Sequence, residues 1–427
     1  MRRIQTTWWG VLLVCVCRWS WPVLAVDPPE LSGFYKNLVS ATTVADSLEN
    51  LGITQDDVTL EDAQRIRLKL DADLGESVEV RIHYELLHTW GDRERIRNEL
   101  EAASGIALPL FIPARVRYLD LESEIDQGSN WRLVHGLDRL QVRWVAERVE
   151  VTVGRQPVSW GAGLIWTPSD LFSGFSPTEI DRDEKIGVDV FRLTASPTLD
   201  TTLDLVVEPL DESGPYHMSW EDSSLALRVG GHIGEYDVTA LGGQIAGDEV
   251  LGGDFSGYLL DAGFRGEWVY THVKEEGERD YVRALLSLDY GFAAKWNPYL
   301  AVEYFYNGLG TEDPDQYLQR LAAASVQRAY QRGNTFNLGR QYLGTVFRLM
   351  PSALVVLQSV TLFNLDDGSL QEYVSASRSL SENIDLMVGA TVGVGEVGTE
   401  FGGFSADQAG VELKNSDLLF AFLKVYF

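Results

Sequence analysis

Strict alternation of apolar and polar residues runs through much of this chain. Arg65-Ile66-Arg67-Leu68-Lys69-Leu70-Asp71-Ala72-Asp73 alternates without a break, and so does Val78-Glu79-Val80-Arg81-Ile82-His83-Tyr84-Glu85-Leu86. A period of two marks a half-buried strand, and Gly75-Glu76-Ser77 between the two runs makes a hairpin. The pattern recurs in pairs: 137–146 with 148–153, 188–194 with 201–207, 225–231 with 236–241, 283–292 with 299–306, 342–349 with 354–362, and 373–380 with 384–392. Residues 258–273 read as one strand, or as two split near Arg265-Gly266-Glu267, and the alternating pattern begins by about residue 64, or even near Phe34.

The connections sort by length. Turns within the pairs are short, whereas 91–135, 156–187, 209–222, 308–337 and 393–411 are long and polar. Short turns at one end and long loops at the other are the layout of an outer-membrane barrel. The expectation is an all-β, antiparallel transmembrane barrel of about 18 strands, with 16 the alternative, both being even as single-chain barrels require. The last strand agrees. Leu419, Ala421, Leu423, Val425 and Phe427 alternate with Phe420, Phe422, Lys424 and Tyr426, and a barrel's final strand must close on its first rather than leave an open edge in lipid. Alternation ending on a terminal aromatic resembles the C-terminal signal that barrel-assembly machinery reads, with Leu423, Val425 and Phe427 its carriers here.

The first 25 residues follow a different logic. Arg2 and Arg3, the apolar run Trp8–Cys17 and the small-residue end Val23-Leu24-Ala25 read as a secretory signal peptide cleaved near Ala25. The mature chain is then a single barrel, 26–427, without cysteine, since Cys15 and Cys17 leave with the leader. Loss of Arg2, Arg3 and Arg18 takes the net charge from -28 to -31. Such acidity excludes a generic nucleic-acid binder, whose affinity comes from Lys and Arg on phosphates. The expected location is the outer membrane of a Gram-negative bacterium, in contact with lipid and lipopolysaccharide.

Alternation also assigns faces. With Ile66, Leu68 and Leu70 toward lipid, Arg65, Arg67 and Lys69 point inward; by the same reasoning so do Arg81, Arg139, Gln141 and Arg143. A charge on the lipid face costs about 2–4 kcal/mol at mid-depth, which favours this assignment. Arg283 and Arg378 join from later strands by the same reading. Two accounts of this basic wall stand open. It is a track that attracts anionic solutes, or a set of braces paired with Glu79, Glu85, Glu150, Asp289 and Asp385.

Two loops are candidates to narrow the lumen. Residues 154–189 are rich in aromatics and turn-formers, and Arg155, Trp160, Trp166, Asp170 and Arg182 are the expected constriction residues. Continued alternation from Val149, Val151 and Val153 would put Arg155 in lipid, so a bulge is expected at Gly154. The stretch Gly154-Arg155-Gln156, Trp160-Gly161, Pro168-Ser169-Asp170, Asp181-Arg182-Asp183-Glu184 and Gly187-Val188-Asp189 resembles a segment of porin-like outer-membrane proteins, some of them related to alginate-export porins. That resemblance spans residues 154–189 and the general barrel layout. It implies passive diffusion of an acidic polysaccharide through an arginine-lined pore. In the second loop, Asp313-Pro314 followed by 316–331 without Gly or Pro, then Gly333, predicts a helix whose Arg320, Arg328 and Arg332 either reach the pore mouth or brace the rim.

Six scattered histidines, no HExxH and no recognisable nucleophile elbow argue against an enzyme. The sequence assigns no metal set, cofactor or energy-coupling motif. The expected function is passive passage of small or oligomeric anionic solutes, saccharides among them. A plugged surface barrel that binds or organises polysaccharide is the alternative, and a lipid hydrolase is the third reading.

Overall fold

The computed structural model describes residues 28–43, 58–92, 94–96, 117–174, 184–211, 213–406, 411–414 and 417–427. The signal-peptide segment and Arg182 lie outside them. The chain runs as β1 (Glu30–Thr43), β2 (Val58–Asp73), β3 (Val78–Gly91), β4 (Glu122–Gln127), β5 (Trp131–Val145), β6 (Val149–Gln156) and β7 (Val188–Thr198). It continues through β8 (Thr201–Leu210), β9 (Ser219–Ile233), β10 (Tyr236–Ile245), β11 (Asp248–Leu259), β12 (Ala262–His272), β13 (Tyr281–Gly291) and β14 (Tyr299–Asn307). After a helical excursion come β15 (Gln341–Ser352), β16 (Val355–Asn364), β17 (Leu370–Ser381), β18 (Ile384–Val394), the short β19 (Gly403–Ala406) and β20 (Val411–Lys414), and β21 (Leu418–Tyr426).

Every wall strand pairs antiparallel with its neighbour in the chain, and β21 pairs with both β18 and β1. The main sheet has 19 strands. Among the described residues β4 bonds only to the upper part of β5, so the other eighteen strands close the barrel. Closure removes the free edges that a membrane does not tolerate. Phe427 and Gly33 complete the seam, exchanging N–H···O bonds of 2.8 and 3.1 Å. Leu423 and Phe427 stand on the outer side, Phe427 60% exposed, while Val425 faces Tyr35 and Ile384 in register.

The expected split of 258–273 is misplaced. The turn sits at Leu260-Asp261, where Leu260 takes φ +58°, and Arg265-Gly266-Glu267 lies inside β12. Gly266 reads as a turn residue, yet its work is steric: a Cβ there would meet the Phe255 ring at 2.4 Å. The strand that was not expected, β11, carries Gly252, Gly253 and Gly257, which break its apolar alternation. The bulge is also elsewhere. β5 and β6 keep register through Gln141–Gly154 and Leu140–Arg155, and the register shift falls between β3 and β5, where His83 opposes Arg139 and Tyr84 opposes Leu137, leaving Asp138 extra.

The two faces differ as alternation requires. Ile66, Val142, Trp144, Val153, Trp268 and Leu286 are exposed outward, whereas the residues between them are buried or charged. Among the described residues, two large apolar clusters lie inside. One joins Trp166, Phe305, Tyr342, Tyr373, Phe401 and Phe420 with their neighbours. The other joins Trp160, Leu171, Phe172, Val190, Val206 and Val269. Both contain residues from 157–174 of the β6–β7 connection, a segment that is therefore packed into the barrel rather than left in solvent.

Candidate functional site

Pro157, Gly161, Gly163 and Pro168 prevent the β6–β7 connection from forming a strand. Its apolar side chains Val158, Trp160, Ile165, Trp166, Leu171 and Phe172 are each no more than 3% exposed. Burying them drags backbone N–H groups out of water, and those must find acceptors. Two wall carboxylates supply them. Glu267 of β12 accepts from Ala162 N and Gly163 N, both at 2.6 Å, from Ser169 N at 2.9 Å, and from the Ser169 hydroxyl. Glu303 of β14 accepts from Leu164 N (2.7 Å), Ile165 N (2.9 Å) and Trp166 N (3.2 Å). The loop backbone runs close to its neighbours: a Cβ on Gly163 would stand 1.9 Å from the Trp166 carbonyl oxygen.

The expected constriction residues anchor this loop. Trp160 donates Nε1–H to Asp204 at 2.8 Å and meets Phe172 edge-on. Trp166 stacks on Phe305 at 5.1 Å and donates to Asn337 at 2.8 Å. Asp170 is fully buried and accepts from Lys185, whose ammonium also reaches Ser159 Oγ at 2.6 Å. Burial lifts the Asp170 carboxyl to about 6 against the pull of Lys185. Arg155, 1% exposed, makes a two-pronged pair with Asp189 (2.8 and 2.9 Å) and donates to the Leu119 and Leu137 carbonyls. It follows Gly154, which takes φ +113° without a register shift between β5 and β6.

Opposite the loop stands the basic wall of β2, β3 and β5. The structure brings Arg65, Arg67, Lys69 and Arg139 together on the inner side, and each is ion-paired. Arg65 and Arg67 share Glu85 at 2.9 and 2.7 Å. Arg67 also reaches Asp138 at 2.7 Å and Glu184 at 3.1 Å, and Lys69 holds Glu184 at 2.6 Å. Arg139 pairs with Asp138 and donates to the Lys185 carbonyl at 2.6 Å. Lower on the wall, Arg143 bridges Glu79 (3.0 Å) and Glu150 (2.6 Å), and Arg81 meets Glu79 and, at 3.6 Å, Asp71. Gln141 is buried beside them. Glu184 comes from the loop and remains one-third exposed. Burial pushes its carboxyl up, but the Lys69 hydrogen bond and the Arg67 charge outweigh that and hold it below the usual range. A cavity of about 140 Å³ opens here, bounded by Arg65, Arg67, Arg117, Glu85 and Glu184.

Two expected wall cations sit elsewhere. Arg283 faces inward but spends its guanidinium on the Pro168 and Asn334 carbonyls, at 3.0 and 2.5 Å, tying two loops together. Arg378 falls on the outer side with Val374 and Leu380, close enough to the Glu382-Asn383 turn for its head to reach water.

The helix in 308–340 breaks in two. Asp313 caps a 3-10 turn (Pro314–Gln316), a short α-helix follows (Tyr317–Leu321), and a second helix spans Ala324–Gln331, ending before Gly333 at φ +68°. No Gly or Pro forces the break. The second helix gets its cap from outside: Glu278 accepts from Ser325 N at 3.3 Å and from its hydroxyl. Arg320 donates to the Leu309 carbonyl, Arg328 pairs with Glu275 at 2.8 Å, and Arg332 with Glu208 at 3.1 Å. All three brace the rim.

Reading the sequence alone missed Glu267, Glu303 and Glu400. Glu400, from the β18–β21 connection, accepts from Leu338 N (2.8 Å), Asn364 Nδ2 (2.7 Å) and the Tyr342 hydroxyl, and Asn337 links it to Trp166. Burial raises its carboxyl to about 7. The available signal was an acid at an inward strand position between apolar neighbours, as at Glu303; for Glu400 there was none.

No family model matches the chain, and no curated protein matches it. Solved structures do. The chain is similar to OpdK of Pseudomonas aeruginosa, solved with vanillate, at TM-score 0.55 and 10% identity, over 94% of this chain and 99% of that one. It is similar to Acinetobacter baumannii OccAB1 at TM-score 0.52 and 9% identity, over 93% and 96%. Pseudomonas aeruginosa OccD3 gives 0.51 and 10%, over 95% and 92%. A second OpdK structure carries the description outer membrane protein. The expected kinship with alginate-export porins gains no support from these structures. At such identities the likeness speaks for the fold, and over nearly its whole length this chain has the porin-like barrel architecture of the Occ and Opd outer-membrane proteins.

Proposed function

We propose that the chain forms an outer-membrane channel through which small or oligomeric anionic solutes diffuse passively. The observation that carries this reading is the ion pair of Glu184 with Lys69 and Arg67 at 2.6 and 3.1 Å on the inner wall. One carboxylate of the inserted loop rests on two wall cations and stays partly open to solvent. An anion passing this wall meets the same cations and competes for them, so passage is an exchange of one carboxylate for another group of like charge. Exchange keeps binding weak, and a channel needs ligands that leave. The closed barrel and its likeness to outer-membrane proteins support this reading. Residence among outer-membrane lipid and lipopolysaccharide after leader cleavage near Ala25, and insertion by barrel-assembly machinery reading Leu423, Val425 and Phe427, belong to the same proposal.

A second reading, a plugged surface barrel that binds polysaccharide, draws support from the two apolar clusters inside the barrel. Liposome swelling separates the two. The channel reading expects anionic sugars to enter faster than neutral sugars of equal size. It also expects Lys69→Gln to slow the anion and Glu184→Gln to speed it, each by about twofold or more for a partly screened charge. Liposomes that hold folded barrel yet admit neither sugar would favour the plugged reading.

A further inference from the structure

On the long-loop rim, the β12–β13 connection and the 308–340 loop enclose a cleft of about 720 Å³, within the roughly 300–1,000 Å³ of pockets that take small molecules. Its lining is hydrophilic, and five carboxylates stand on it: Glu275, Glu276, Glu278, Glu312 and Asp313. Raw charge would suggest a cation. The bonds argue otherwise. Glu275 holds Arg328 at 2.8 Å, and Glu312 holds Arg340 at 2.6 Å. Glu278 caps the second helix through Ser325, and Asp313 caps the first turn through Asp315 N at 3.2 Å and holds Gln316 Nε2 at 2.8 Å. Four of the five acids are thus engaged.

Two arginines in the cleft are compensated differently. Arg279 donates to the Gly310 carbonyl at 2.9 Å and the Gly308 carbonyl at 3.5 Å. Arg320 donates to the Leu309 carbonyl between them at 2.8 and 3.2 Å. Both guanidiniums therefore converge on one tripeptide, and both meet carbonyl oxygens rather than carboxylates. A carbonyl brings only a partial charge, and a guanidinium has five N–H donors, so donors remain to be used. The closeness has an electrostatic cost. Burial, then the charges of Arg279 and Arg340, lower the Arg320 pKa, with the Glu278 charge opposing them.

We propose that this cleft binds an oxyanion, the phosphate or carboxylate group of a hydrophilic solute, between Arg279 and Arg320, with Glu276 as the neighbour that limits affinity. Planar oxyanions suit paired guanidiniums because each presents two parallel donors. Glu276 opposes the bound charge, which favours a loosely held ligand at the rim. The cleft shares no lining residue with the cavity at the basic wall, and the proposal does not depend on the channel reading.

The test is calorimetric titration of the full-length barrel in detergent with glucose 6-phosphate, galacturonate and glucose. Binding of one or both anions, and none of glucose, is expected, and comparing the two anions identifies the preferred group. Arg279→Gln, at an exposed position, should weaken binding about fivefold or more, and Glu276→Gln should tighten it about two- to fivefold. Arg378→Gln, on the outer side of the barrel, should leave it unchanged. Absence of anion binding, equal affinity in Arg279→Gln, or sensitivity to Lys69→Gln in place of Arg279→Gln would overturn the proposal. So would calcium binding to the wild type that Glu276→Gln abolishes.

Discussion

Glu400 carries the clearest chemical consequence at the scale of single residues. Its carboxyl is buried where three loops meet, and burial lifts it from an ordinary 4.5 to about 7. The groups facing it are Tyr317, Tyr330, Tyr342 and Asp367; none of them supplies a positive charge. A carboxyl whose folded pKa is raised takes up a proton on folding. Its contribution is therefore full below about 4.5 and is lost as pH rises through about 7. Asp170, lifted to about 6, acts in the same direction. Protection of the Leu338 and Gly339 amides against hydrogen exchange, corrected for intrinsic rate, should fall between pH 5 and 8, and Glu400→Gln should flatten that fall. Protection that rises with pH would show that the sign is wrong.

Arg67 is the residue-scale counterpart in the wall. Its guanidinium serves Glu85, Asp138 and Glu184 while only 4% exposed. Arg67→Gln takes one partner from three partly buried carboxylates, each of which keeps a second cation in Arg65, Arg139 or Lys69, and should cost about 1.5–3 kcal/mol, as for a hydrogen bond to a charged group. Urea unfolding of the variant should show a loss of that order, and a loss under about 1 kcal/mol would mean that Arg65, Arg139 and Lys69 hold these acids without it. Alternation made the inward face of such residues legible, because a period of two leaves no other side for them. It left partners illegible. Glu184 meets Lys69 across 115 positions of sequence, and nothing local records that distance.

Among the elements, the 157–174 loop depends on six backbone N–H groups held by Glu267 and Glu303. Hydrogen bonds to a charged group contribute roughly 1.5–3 kcal/mol each when nothing replaces them. The double variant Glu267→Gln with Glu303→Gln should free the loop. Limited proteolysis should then cut within 157–174 at least about tenfold faster, whereas an unchanged rate would assign the loop's position to its aromatic packing alone. Gly163→Ala tests the same element by steric means and should displace the Trp166 backbone, read as loss of its fluorescence shielding. Hairpins, loop sorting and the closing strand were legible because each rests on local periodicity. The β11–β12 turn was not, because glycines that make room for Phe255 mimic turn glycines. Nor was the helix break, whose cause is a carboxylate borrowed from another loop.

On the scale of the whole molecule, a chain with net charge -28 proves to be organised by pairing. Acids that looked like a uniform surface property hold the inner cations, cap helices and seize loop amides. In the proposed channel, selectivity then rests on a few exchangeable pairs near Glu184 rather than on the total. The most direct test is the reversal potential of the wild-type barrel in a planar bilayer under a salt gradient, beside Lys69→Gln and Glu184→Gln. The account predicts a stable conductance with anion preference, diminished in Lys69→Gln and increased in Glu184→Gln. A folded barrel that conducts nothing, or one that prefers cations in all three forms, would contradict it.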